Sequence, residues 1–441
     1  MEEYMNEKYV SNLAAMIKTE TVSYDEQPDK SKFYAFHELL RELFPSLFAV
    51  VEVEVFDGSL LMKWNGKNPD ASPVMLMNHM DVVEAHGEWS HEPFCGEVFD
   101  GKLWGRGTLD NKGGLWGMLQ AADELAAEGF VPETDIYFES ACTEEVNGDG
   151  AKEISRVLYD RGIRFSMILD EGGMIVEEPI AGAKGKFAMV GMGEKGVAEL
   201  KFIARGNGGH ASTPDRNTPL VRLGKFMQAA DSQSIFKAEL TPVIEEMFSR
   251  IGPSVDGPLG KVLSNAGKFK PVLLAVMPKV SATANALVRT TIAFTMAHGS
   301  EGRNVIPAEA WVVGNLRISH HQGYESSLAA IKKLAAKYDI ETEILSPCDE
   351  SSLSDFRTDA FKQVEDAVSA AFDNVTTVPY IMTGASDCRF MEKLSKNCFR
   401  FVPFVINGQQ LESIHGLDEN VDVVTLEPAV KFYKHLIKGI K

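Results

Sequence analysis

Between residues 73 and 170 the chain repeats one pattern: a short run of buried-type apolar residues, then a segment with helical spacing. The runs are Pro73-Val-Met-Leu-Met-Asn-His79, Asp135-Ile-Tyr-Phe-Glu-Ser-Ala-Cys-Thr143 and Ser166-Met-Ile-Leu169. Helical periodicity fills the gaps: Leu115, Trp116, Leu119, Ala122 and Leu125 share a face between Gly113 and Gly129, and a second helix is expected near 150–161. A parallel strand pair needs a crossover of a dozen or more residues, usually a helix. The alternation therefore predicts an α/β fold, a mostly parallel twisted sheet flanked by helices. In such sheets, loops beyond the C-terminal strand ends converge on a crevice where sites form. Each run here ends in residues that can hold a metal ion. His79 and Asp81 follow the first, Glu144 and Glu145 the second, and Asp170 the third. Between the first two lies Gly105-Arg-Gly-Thr-Leu-Asp110-Asn-Lys-Gly-Gly114, an acid on a glycine-rich turn.

Nitrogen and oxygen donors with little sulfur suit borderline metals such as zinc. Two adjacent carboxylates let one hold metal while its neighbour moves protons. The pattern reads as a hydrolytic metal centre. Cys95, Cys142, Cys348, Cys388 and Cys398 are scattered without CxxC spacing, which predicts reduced thiols and a cytoplasmic location. The acidic start, Met1-Glu-Glu-Tyr-Met-Asn-Glu7, has no apolar core after it, so no secretory signal is expected. A formal net charge of −19 argues against nucleic acid and anionic membrane as partners. Any anionic substrate must then be met by locally placed Arg or Lys.

At 441 residues the chain exceeds the roughly 250–300 residues that one core supports. Helices are expected at 8–19 and 31–44, with His37 in the packing stripe of the second, and strands at 50–56 and 60–64. After Gly193-Glu-Lys-Gly196 the style changes. Val197–Ala204 alternates like a half-exposed strand, a helix follows at 218–231, strands at 290–297 and 310–318, a helix at 324–337 and a strand at 341–345. This is a βαββαβ unit. Residues 234–288, punctuated by prolines, read as a less regular insertion within it. From about 352 the α/β style returns, with a helix at 358–372, a strand at 399–405 and a helix at 426–439. The predicted organisation is a catalytic domain in two parts, 1–192 and 351–441, with a domain at 193–350 inserted.

These motifs resemble the zinc-dependent exopeptidase and aminoacylase family that includes carboxypeptidase S, carboxypeptidase G, bacterial dipeptidases and succinyl-diaminopimelate desuccinylase. The likeness runs from about residue 70 to 425 and takes in Trp89-Ser-His-Glu-Pro-Phe94 and Asp100-Gly101-Lys-Leu-Trp-Gly-Arg-Gly107. Arg289-Thr290-Thr291, Asn304-Val-Ile-Pro307, Asp387-Cys-Arg389-Phe and Ile414-His-Gly-Leu-Asp-Glu419 look closest to the carboxypeptidase S branch.

The resemblance implies two divalent ions, zinc with cobalt or manganese as substitutes. Asp110 would bridge them, His79 and Asp170 completing one ion and Glu145 and His415 the other; Glu171 is the alternative to Asp170. Asp81 would take a hydrogen bond from the His79 ring, and Glu144 would be the general base. The inserted domain would be a lid, with His210 of Gly206-Asn-Gly-Gly-His210 stabilising the oxyanion. In dimeric relatives that histidine comes from the partner subunit, so a homodimer through the lid is an implied arrangement. Asn304 and the loop carrying Gly384 would contact substrate, and Arg317, or more weakly Arg289, would grip its carboxylate. Two positions depart from the family pattern: Asn111, beside the bridging acid, and Ala385, in the substrate loop. The implied reaction is hydrolysis of the amide beside a free carboxylate in a short peptide or N-acyl amino acid. Dipeptidase or small-acyl deacylase activity is the same-class alternative; a non-catalytic binding protein on the same fold is the alternative of another class.

Overall fold

The computed structural model describes residues 2–232, 234–280, 282–348 and 351–440, which form two compact units. The first comprises Met1–Gly193, Ser249–Ser264 and Ser354–Lys441; the second comprises Glu194–Phe248 and Asn265–Leu353.

The first unit is built on a ten-stranded sheet. Its centre is parallel: Val74–Met77 lies between Ile136–Ser140 and Met167–Asp170, and Cys398–Arg400 continues beyond Met167–Asp170. All four strands are buried along their length, which is why they read as unbroken apolar runs. Antiparallel strands flank this block, Val51–Phe56 and Ser59–Trp64 on one side and Lys186–Glu194 with Ile175–Glu177 on the other.

Helix Lys112–Ala127 packs against Glu2–Lys18 and Leu426–Gly439. Its start is pressed so close to the sheet loops that a Cβ on Gly114 would meet Asn78 Oδ1 at 2.2 Å. The glycine pair Gly113-Gly114 is thus a close-approach device. Helix Asp149–Asp160 buries Ala151, Ile154, Ser155 and Leu158, the i, i+3, i+4, i+7 stripe, against Leu61, Met75 and Ile168. Its large apolar side chains, fully buried, each contribute about 1.5–3 kcal/mol.

The second unit follows the order strand, helix, two strands, helix, strand. Its sheet runs Thr291–His298, Glu309–Ile318, Gly196–Arg205, Glu341–Ser346, all antiparallel. Helices Pro219–Asp231 and Tyr324–Ala336 close its core, where Phe202 meets Phe226 at 4.7 Å between ring centroids.

Several local readings need correction. The stretch 234–288 is largely helical, with Pro242–Ile251, Gly257–Leu263, Lys270–Val280 and Ala282–Val288. Pro242, Pro258 and Pro271 stand in first turns, where a missing N–H costs nothing, so they start helices there. Ser249–Ser264 groups with the first unit, where Arg250 donates to Thr377 O at 2.9 Å. The strand expected at 399–405 is split into Cys398–Arg400 and Val405–Ile406 around Pro403, which has no N–H to give a ladder. Strands Lys186–Glu194 and Val375–Met382 are additions to the expected set.

Candidate metal centre

Four of the predicted ligands meet beyond the parallel strands. Asp110 lies between two imidazoles: its Oδ1 is 3.0 Å from His79 Nε2 and its Oδ2 is 3.1 Å from His415 Nε2. His415 Nε2 is also 3.0 Å from Glu145 Oε2. One donor atom each from His79, Asp110 and Glu145 all fall within 4.8 Å of one another. A carboxylate that turns one oxygen to each imidazole has the geometry of a bridging ligand. Asp170 ends its strand as expected, but it is outside that mutually close group, and its Oδ2 accepts from Cys388 N at 2.7 Å.

The supports of these groups were only partly legible. His79 Nδ1 is 3.0 Å from the main-chain oxygen of Asp81 and 3.4 Å from its carboxylate, so the carbonyl is the nearer acceptor. The Asp81 carboxylate instead accepts the N–H of Glu144 at 3.3 Å and of Glu145 at 3.1 Å, with Ser23 Oγ at 2.7 Å. It braces the loop that carries both glutamates. Asp81→Ala is expected to weaken divalent-ion binding about 10–100-fold. Competition with a chromophoric chelator checks this; unchanged affinity with an unchanged circular dichroism spectrum would sink the bracing role.

Glu419, which carried no assigned role, organises the Asp110 turn. Its Oε1 accepts from the N–H of Gly107, Leu109 and Asp110 at 3.1, 2.8 and 3.1 Å. Its Oε2 takes Arg106 Nη1 at 2.8 Å, and Arg106 Nη2 donates to Gly416 O at 2.7 Å. One buried ion pair thus ties the Asp110 loop to the turn after His415. Glu419→Ala strands the Arg106 charge, so a stability loss of about 3–5 kcal/mol is expected from urea unfolding. A change below about 1 kcal/mol would show that the pair is dispensable. Asn111 is also accounted for: its Nδ2 donates to Asn78 Oδ1 at 3.0 Å, one residue before His79.

Electrostatics mark this cluster as a cation site. Burial works against protonation of His79, yet hydrogen bonds from its ring to the Asp110 and Asp81 carboxylates outweigh it and raise its pKa well above the usual imidazole range. His415 is pushed up to about 10 by its bonds to Asp110 and Glu145. Burial, then the Asp110 charge, lifts Glu145 to about 7. For Glu144 burial again leads; His79 opposes it, and the charges of Asp387, Glu145 and Asp110 add to it, so its pKa lies far above the carboxylate range. Asp387 is pushed up to about 8 by burial and Asp170. So many buried acids around two imidazoles are crowded negative charge that divalent cations would relieve. Glu145 Oε1 is buried without a hydrogen-bond partner, which fits an oxygen meant for a metal. The residues present fit the group.

The other expected contacts lie in the second unit, except Gly384, which sits in an exposed loop of the first. His210 pairs with Val305 in a short ribbon, and Ala211 N donates to Asn304 O at 3.0 Å, so His210 and Asn304 are neighbours. Arg317 is in register with Thr291, two residues beyond Arg289. Lys195, not singled out by its sequence context, donates to Arg289 O at 2.8 Å and Ala286 O at 3.0 Å.

A family description, peptidase family M20/M25/M40, matches residues 75–439. The chain belongs to that family. Probable carboxypeptidase S-like 2 of Dictyostelium discoideum is 30% identical over 97% of this chain and 84% of its own length. N-fatty-acyl-amino acid synthase/hydrolase PM20D1 of Homo sapiens is 30% identical over 97% of this chain and 86% of its own. The solved M20 family metallo-carboxypeptidase Sso-CP2 from Sulfolobus solfataricus shares the fold, with a TM-score of 0.72 at 15% identity over 98% of each chain. As an M20 peptidase the chain is a metal-dependent hydrolase, and none of its described helices is long and apolar enough to cross a membrane.

Proposed function

We propose that this M20 peptidase releases an amino acid by hydrolysing the amide beside a free carboxylate, in short peptides or N-acyl amino acids. Two divalent ions would be held by His79, Asp110, Glu145 and His415, with Asp170 completing the set. The observation that carries this reading is Asp110, placed with one oxygen toward each imidazole. When bound, the cations would polarise the scissile carbonyl and make water easier to deprotonate. The donor set suits zinc, and cobalt or manganese could take its place.

The chain's own groups do the rest. Glu144 carries the proton. Burial and neighbouring acids make its carboxyl a willing proton acceptor, and nearby cations would keep it ionised until water attacks. It then passes the proton to the leaving nitrogen. We assign His210 to the oxyanion, Arg317 to the substrate carboxylate, and Asn304, Arg289 and Gly384 to substrate contacts, with the second unit serving as a lid. The names of the two relatives favour this choice, because peptide C-termini and N-acyl amino acids both present an amide next to a carboxylate. Five free cysteines favour the cytoplasm, and the exposed edge strand Thr291–His298 is where a second copy could extend the sheet.

The test is release of free amino acid from dipeptides, tripeptides and N-acyl amino acids, with zinc, cobalt or manganese and with chelator. Chelator-sensitive cleavage limited to substrates with a free carboxylate is expected. Equal cleavage of C-terminally amidated substrates would overturn the assignment, and the active subset separates carboxypeptidase, dipeptidase and deacylase.

A further inference from the structure

The acidity of this chain is uneven. Between Asp256 and Glu301 there is no Asp or Glu, while Lys261, Lys268, Lys270, Lys279 and Arg289 all fall in that interval. Its middle is helix Lys270–Val280 of the second unit, Lys-Pro-Val-Leu-Leu-Ala-Val-Met-Pro-Lys-Val. The helix is apolar on both sides. Leu273 and Met277 are buried, whereas Val272 and Val276, one turn apart, are 53% and 49% exposed, and Phe269 just before them is 39% exposed. Lys268 and Lys279, both exposed, bracket this stripe. Lys270 is used inside, donating to Leu240 O at 2.8 Å, and Lys268 leans on Asn265 Oδ1 at 3.5 Å. The nearby acids Glu239 and Glu245 meet the segment at Lys270 and Gly267.

Large apolar side chains exposed together mark a contact surface. The charge pattern selects the occupant. An apolar stripe bracketed by lysines, in a stretch of sequence without acids and with Glu239 and Glu245 turned to Lys270 and Gly267, matches a surface that is negative outside and apolar beneath. We propose that the Phe269–Lys279 face docks on an anionic lipid surface, with Phe269, Val272 and Val276 entering the headgroup boundary and Lys268 and Lys279 meeting lipid phosphates. The overall charge of −19 opposes approach, but salt screens such repulsion beyond about 8 Å at physiological ionic strength. The lysines act at contact. The docking is therefore peripheral, reversible and weakened by salt. It does not depend on the reaction proposed above.

Flotation of the full chain with vesicles tests this. Binding is expected to vesicles of phosphatidylcholine with phosphatidylserine, and not to phosphatidylcholine alone. Lys268→Gln and Lys279→Gln should each weaken it about fivefold, the factor equivalent to ~1 kcal/mol per lysine. Val272→Ser with Val276→Ser should remove binding while leaving the unfolding midpoint and turnover of a small soluble substrate unchanged. No binding by the unaltered chain, equal binding to neutral vesicles, or variants that bind as well as the parent would each overturn the proposal. Sedimentation without lipid adds a control: a dimer dispersed by Val276→Ser, with no vesicle binding, would give the face to a second copy and also overturn it.

Discussion

Glu144→Gln is expected to lower kcat by about 10²–10⁴-fold, the range general-base catalysis supplies, with metal content unchanged. The side chain keeps its size, and the main-chain bond from Glu144 N–H to Asp81 survives, so the loop stays where it is. What is lost is the ability to take a proton from water and give it to the departing nitrogen. Steady-state kinetics with metal analysis of the same sample read both quantities. A kcat within tenfold of the parent would move the base elsewhere, and Glu171 is the first place to look. Burial, then the charges of Asp110, Asp170 and Glu144, raises its pKa well above the usual range as well.

Asp110→Ala should fail one step earlier, at metal binding. This substitution removes the acceptor that faces both imidazoles, so the stoichiometry of bound ions after dialysis should fall. The loss of affinity should exceed the roughly 10–100-fold expected from removing an outer partner such as Asp81. Activity should disappear with the metal, and excess ion should restore only part of it. Retention of two ions would show that the bridging role belongs to another group. The two substitutions fail differently: one leaves a loaded, inactive centre, the other an empty one.

The candidate ligands His79, Glu145 and Asp170 were legible because each follows a run whose apolar character marks a central parallel strand, and such strands deliver their loops to one edge, whereas Asp110 on its glycine-rich turn and His415 were placed by the family resemblance. Position on the strand, more than residue type, singled out His79, Glu145 and Asp170. The clasp between Arg106 and Glu419 was not legible, since its partners are 313 positions apart and nothing local links a charge in a glycine turn to one near the C-terminal helix. Asp81 was found, but its strongest work is for the neighbouring loop, because a carboxylate with two free oxygens goes to whichever N–H groups the fold presents. The helices within 234–288 were obscured by prolines that mark helix starts as readily as breaks.

Glu419 draws amides of residues 107–110 onto a carboxylate that is translated long after them. At ~5–20 residues per second, Glu419 leaves the ribosome roughly 15–60 s after Asp110, from which it is 309 positions distant. Until then the Asp110 turn lacks the carboxylate that its amides meet, so this loop is set only once residue 419 has been made.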